Sequence, residues 1–179
     1  LSTLFWLSYI MLWLLVVPLV ILNLVLFRQL GIMIMGTARG VNQSGIPIGH
    51  KLPQAAAFRL EGEEWSTAEL LGAPSLMLFG SPTCRECAEI MPDFKRIAEI
   101  NEVKPILLLF STAELAAEYV RKINYTDEVM LVNPDLANQL DVQVTPFAYA
   151  IDRNGIIKHK GLVNSRDQLE LYIRASRAS

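Results

Sequence analysis

The 179 residues suffice for one domain of about 150 residues and one additional segment. A formal net charge of −2, with 19% of residues charged, leaves no basic footprint for a nucleic-acid partner. The chain has only two cysteines, Cys84 and Cys87, and its two histidines, His50 and His159, are isolated in sequence.

The additional segment lies at the amino end. No Asp, Glu, Lys or Arg occurs before Arg28, and Leu4 to Phe27 is apolar except for Ser8, Tyr9 and Asn23. At about 1.5 Å rise per residue such a run crosses the ~30 Å hydrocarbon core of a bilayer. A cleaved signal peptide has an apolar region of only about 7–15 residues, closed by a small-x-small site that this run lacks. A buried core helix rarely stays apolar on every side for this length. The expectation is a retained transmembrane anchor over residues 1–30, with Pro18 as a tolerated kink and Trp6, Tyr9 and Trp13 at an interface. Taken alone, Arg28 and Arg39 would keep the rest of the chain cytoplasmic under the positive-inside rule.

Residues 31–52, punctuated by Gly31, Gly36, Gly40, Gly45, Pro47 and Gly49, read as a linker. A soluble domain is expected over 53–179. "AAFRLEG" and "EEWS" form a short hairpin, and "TAELLG" a helical turn ended by Gly72. "PSLMLFG", a continuous apolar run of strand length, predicts a strand buried on both faces. Cys84 to Asn101 follows as a helix that places Cys87, Ile90, Met91, Phe94, Ile97 and Ala98 on one face. "PILLLF" and "EVMLV" read as strands. "TAELAAEYVRKI", capped by Thr112, and "PDLANQL", started by Pro134, read as helices. "TPFAYAI" and "GIIKHKGLV", joined by "DRNG", predict an antiparallel hairpin. "SRDQLELYIRAS" closes the chain as an amphipathic helix capped by Ser165. The order implies an α/β mixed sheet flanked by helices.

Three roles compete for Cys84-Arg85-Glu86-Cys87. As a staple, a four-residue loop contributes only about 2 kcal/mol against ~4.7 for a 100-residue loop. A structural zinc needs four ligands, and neither a third cysteine nor a histidine pair is present. A c-type haem needs His where Ala88 stands. Metal is therefore not expected. Redox chemistry needs only what is present: a cysteine at a helix start, where unpaired N–H groups favour the thiolate, and a second one turn later on the apolar face. Cys84 is expected to attack a partner disulfide and Cys87 to resolve the mixed disulfide. Arg85 favours the Cys84 thiolate and Glu86 opposes it, which leaves the sign of their joint effect open.

From about Ile48 to Arg174 the chain resembles the thioredoxin superfamily, through the strand "SLMLFG", the motif CREC, Pro92 in the following helix, and "VTPFAYAID" about sixty residues later. The resemblance implies a thioredoxin-like fold in which a cis Pro146 packs against the redox pair. It also implies that the backbone of Thr145 pairs with a bound partner chain. Cys84 and Cys87 are then the catalytic residues, Thr145 and Pro146 bind substrate, Thr83, Arg85 and Glu86 modulate, and no cofactor beyond the Cys84–Cys87 disulfide is implied. Thr83 stands where thioredoxins usually have Trp. Leu78 and Ile90 stand where thioredoxin and the ResA type carry acids, so no general acid or base is identified.

The uncharged first helix followed by Arg28-Gln29, the "GHKLPQAAAF" entry and the form F-x-SPTC-x-x-C are similar to the membrane-tethered TlpA/ResA group and, more so, to the MauD family of methylamine utilisation. This implies a bacterial thiol–disulfide oxidoreductase, single-pass in the cytoplasmic membrane with its redox domain outside. Its partners would be exported protein thiols and disulfides, together with a membrane or thiol electron donor or acceptor. A MauD-like client is a disulfide-rich dehydrogenase subunit under maturation, and a ResA-like client is an apocytochrome c. The alternative of another class is a tethered docking or assembly factor with a dispensable CxxC. Secondary marks are the sequons at Asn42 and Asn124, a basic "KHK" on an edge strand, and Trp65 as a packing residue.

Overall fold

The computed structural model describes residues 2–177, with the side chains of Thr3, 5–26 and 44–177. It divides into two units, Leu1–Asn42 and Gln43–Ser179.

The first unit is one helix, α1 (Ser2–Gln43). Within it Phe5–Leu26, 22 residues with mean hydropathy 2.6, is long and apolar enough to cross a membrane. Its polar side chains turn to their own backbone: the Ser8 hydroxyl donates to Phe5 O at 2.9 Å, and Asn23 Nδ2 approaches Leu19 O at 3.5 Å. Trp6, Tyr9 and Trp13 form a ladder with ring centroids 6.1 and 6.3 Å apart. The helix runs on through Gly31, Gly36 and Gly40, residues that the sequence pattern gives to a linker. A helical glycine costs only about 1 kcal/mol against alanine, and no proline stands between Pro18 and Pro47. The side chains of Arg28, Arg39 and Asn42, on which the charge rule and one sequon depend, lie outside the described residues.

The second unit is built on a seven-stranded sheet in the order β2-β1-β5-β4-β3-β6-β7. Its strands are β1 (Ala56–Arg59), β2 (Glu64–Ser66), β3 (Ser75–Gly80), β4 (Lys104–Leu109), β5 (Val129–Leu131), β6 (Phe147–Ile151) and β7 (Ile157–Leu162). β3, β4 and β5 run parallel, while β1 and the β6–β7 hairpin are antiparallel to their neighbours. The helices are α2 (Arg85–Ile100), α3 (Ala113–Lys122), α4 (Pro134–Gln139) and α5 (Arg166–Arg177). The turn expected at "TAELLG" is a 3₁₀ turn, Thr67–Leu70, closed by a reciprocal cap in which Ser66 and Glu69 satisfy each other's backbone. The Ser66 amide and then Arg59 hold the Glu69 carboxyl below the usual range.

The unbroken apolar run of β3 follows from its central place. All six of its residues are buried, and successive side chains point to opposite faces. Leu76 and Leu78 join the layer of Ile90, Phe94, Tyr119, Leu169 and Ile173 from α2, α3 and α5. Met77 and Phe79 join the layer of Trp65, Leu136, Phe147 and Tyr149 on the other face. Trp65 is fully buried in that second layer, as a packing residue.

The edge strand β7 carries the "KHK" run, yet its side chains are engaged rather than free. Lys158 lies 3.8 Å from the Asp152 carboxylate, and the His159 ring stacks on Tyr172 at 4.2 Å. Lys160 Nζ donates to the Ser44 and Gly45 carbonyls. The outer edge of β7 is covered at its start by residues 49–51, where Gly49 N–H donates to Ile157 O and Ile157 N–H to His50 O.

Phe94 is fully buried on α2 and stacked on Tyr125 at 6.3 Å, whereas Ile100, six residues on, is 70% exposed. Phe94→Ala is expected to cost about 3–5 kcal/mol and Ile100→Ala less than about 0.5 kcal/mol. Denaturant unfolding of the two variants measures the difference.

Candidate redox site

The site forms where β3 ends. After Gly80, the Ser81 and Thr83 hydroxyls lie 3.0 Å apart and Cys84 N–H donates to Ser81 O at 3.0 Å, which turns the chain tightly into α2. α2 begins at Arg85 with Cys84 as its N-cap. The Cys84 sulfur accepts from Cys87 N–H at 3.1 Å, the role that a Ser or Asp oxygen plays at other helix starts. Such donors, with the positive end of the helix, stabilise a sulfur that becomes anionic.

Cys84 and Cys87 form a disulfide with Cα atoms 5.3 Å apart. Their environments differ. Cys84 is half-buried, whereas Cys87 is 1% exposed, on the face that also buries Ile90, Met91, Phe94, Ile97 and Ala98. A Cβ added to Gly80 would lie 3.7 Å from the Cys87 sulfur and 3.7 Å from Leu109, so Cys87 sits under backbone and aliphatic carbon. Leu78 and Ile90, where some relatives carry acids, are both buried.

The charged residues between the cysteines are arranged unequally, which the sequence left open. Arg85 Nε is 3.2 Å from Glu89 Oε1, one turn along the helix, so Glu89 is an exposed ion-pair partner. Glu86 Oε2 stands 4.0 Å from the Cys84 sulfur. Thr83 is exposed beside the pair.

The remaining expected residues come to the same end of the sheet. The Thr145–Pro146 peptide is cis. β6 starts at Phe147, paired in register with Phe79, so Pro146 stands beside the register position of Gly80. Pro146 is buried and Thr145 half-buried, and Pro146 O accepts from Val163 N–H at 3.1 Å. Phe110, which sequence reasoning did not single out, also borders this end: its N–H donates to Gly80 O at 2.9 Å and its ring lies 6.4 Å from Phe79. Its position directly after an apolar strand was the only available signal. Among the described residues, no group of three His, Cys, Asp or Glu side chains is placed to hold a metal ion.

No protein-family model matches the chain. MauD, the methylamine utilization protein of Methylobacillus flagellatus, is 25% identical over 175 residues, spanning 95% of this chain and 85% of that protein. The thioredoxin-like protein YneN of Bacillus subtilis is 22% identical over 131 residues, spanning 69% of this chain and 77% of that protein. In fold, a secreted Mycobacterium tuberculosis disulfide oxidoreductase homologous to Escherichia coli DsbE superposes with TM-score 0.60 at 21% identity, covering 68% of this chain and 96% of that one. This chain has a thioredoxin-like fold. It is similar to MauD over most of its length, and its CxxC pair follows the end of the third strand of a thioredoxin-like sheet.

The unequal burial of the two cysteines has a direct chemical readout. After reduction, a sub-stoichiometric alkylating reagent should label Cys84 at least about ten times faster than Cys87, since accessible thiols at helix starts react first. Peptide mapping by mass spectrometry reads the ratio, and equal labelling would contradict the shielding of Cys87.

Proposed function

We propose that this chain is a thiol–disulfide oxidoreductase tethered to the cytoplasmic membrane by the apolar stretch of α1, with its redox domain outside. The observation that carries the reading is the asymmetry of the pair: one sulfur half-buried at a helix N-cap, the other shielded one turn later. That asymmetry suits a two-step exchange. The Cys84 thiolate attacks a client disulfide, forming a new S–S bond and expelling one client thiolate. Deprotonated Cys87 then attacks the Cys84 sulfur and releases the second client thiolate. Two electrons pass to the client, and the chain is left with the Cys84–Cys87 disulfide; run backwards, the same steps oxidise a client dithiol. No further cofactor enters. The backbone at Thr145, beside the cis Pro146, supplies an extended surface for the client strand.

The helix of membrane-crossing length supports the tether, and the secreted nature of the M. tuberculosis relative supports an extracytoplasmic domain. Similarity to MauD supports a client used in methylamine utilisation, namely a disulfide-rich dehydrogenase subunit under maturation. Cys87→Ser in the producing cell should accumulate client chains disulfide-bonded to Cys84, visible as bands that a reductant collapses. Absence of such adducts, together with full biological activity of the double Cys→Ser variant, would instead identify a docking factor.

Glu86 biases the pair toward electron donation, against the helix start that stabilises the Cys84 thiolate. With Arg85 drawn to Glu89, the charge nearest the attacking sulfur is negative and opposes its thiolate. A disfavoured thiolate favours the disulfide over the dithiol, which makes the reduced chain a stronger electron donor than it would be without Glu86. Glu86→Gln should shift the equilibrium with glutathione about threefold toward the dithiol, or about 14 mV. An unchanged or oppositely shifted midpoint would remove Glu86 as the tuning charge.

A further inference from the structure

Residues 44–46 open the domain and are bound into it by four polar contacts. Gly45 N–H donates to Asp141 O at 2.7 Å and Ile46 N–H donates to the Tyr149 hydroxyl at 2.6 Å. Lys160 Nζ donates to Ser44 O at 2.9 Å and to Gly45 O. Gly45 is buried, has φ of +84°, and carries no side chain for good reason: a Cβ there would lie 2.6 Å from both Phe147 Cζ and the Tyr149 oxygen. The Tyr149 hydroxyl passes the contact on by donating to Leu140 O at 2.7 Å. Burial pushes its phenol up, so it stays protonated and fills both roles.

Leu140 and Asp141 begin the stretch that ends in cis Thr145–Pro146, and Val163 N–H holds the far end through Pro146 O. Tyr149 lies on the sheet face opposite α2, in the layer of Phe79 and Phe147, and so reaches the site through this stretch rather than through the sulfurs. We infer that Tyr149 is a positioning residue for client binding: with the strap at residues 44–46 it fixes the stretch that presents the Thr145 backbone. The client half of this inference rests on the oxidoreductase reading above. A strand-like backbone held in place beforehand loses less freedom when a client pairs with it, so the effect falls on binding rather than on sulfur exchange.

Tyr149→Phe in the full chain keeps the ring and removes the hydroxyl. Amide hydrogen exchange over residues 141–145 should then quicken about tenfold or more, while amides of β3 and α2 keep their wild-type protection. For the pre-reduced chain reacting once with a synthetic peptide that contains one disulfide, the half-saturating concentration should rise roughly fivefold with the saturating rate retained. Hydroxyethyl disulfide, too small to pair with backbone at Thr145, should react at the wild-type rate, and the midpoint potential should not move. Gly45→Ala, which perturbs the strap from its other side, should give the same split. Unchanged exchange in Tyr149→Phe overturns the strap, and that readout needs no turnover, so it stands apart from the oxidoreductase reading. Faster exchange with equal losses on both disulfides, or with no loss on either, overturns the positioning of the client. A wild-type chain that reacts with neither disulfide sinks the oxidoreductase reading and the client half with it.

Discussion

The start of α2 at Arg85 is the constraint on which the redox end depends. Residues along an α-helix advance by about 100°, so a slip of α2 by one residue against the core would turn the Cys87 side chain off the buried face. The N-cap geometry prevents this: the Cys84 sulfur accepts the Cys87 amide and fixes the register of the first turn. Capping and redox asymmetry are therefore one feature. The atom that satisfies the helix start is the sulfur that the proposed exchange would use first, and the residue whose amide it accepts carries the shielded partner sulfur.

Around that point the sheet supplies a rigid seat. β3 contributes alternate side chains to both core layers, and its last residue, Gly80, rests against Cys87 while its carbonyl accepts Phe110 N–H. β6 runs antiparallel to β3 and brings Pro146 to the same end. Ladder pairing thus brings segments distant in sequence to the end of β3 from which the chain turns into the CxxC.

The parts legible in sequence were those set by local pattern. The buried face of α2 could be read residue by residue because Cys87, Ile90, Met91, Phe94, Ile97 and Ala98 follow the helical period. β3 and β4 stood out as unbroken apolar runs, and "DRNG" marked the β6–β7 hairpin. What could not be read depends on contacts between residues far apart in the chain. Ile46 meets Tyr149 across 103 positions and Lys160 meets Ser44 across 116, so Gly45 looked like linker punctuation when its lack of a side chain is demanded by Phe147 and Tyr149. The rivalry of Arg85 and Glu86 was undecidable for a related reason: its outcome turns on Arg85 pairing with Glu89, a choice of rotamer that spacing permits but does not compel.

The edges of the sheet bear on the company such a protein keeps. One border is β2, only three residues long, and the other, β7, is covered at its start by residues 49–51. A protein that exchanges disulfides meets chains that are still incompletely folded and rich in unsatisfied strands. Long bare borders would let those strands zip onto the sheet and seed co-aggregation. In the proposed role, short and covered borders would keep such encounters transient, so that an immature chain would engage at the sulfur, react and depart.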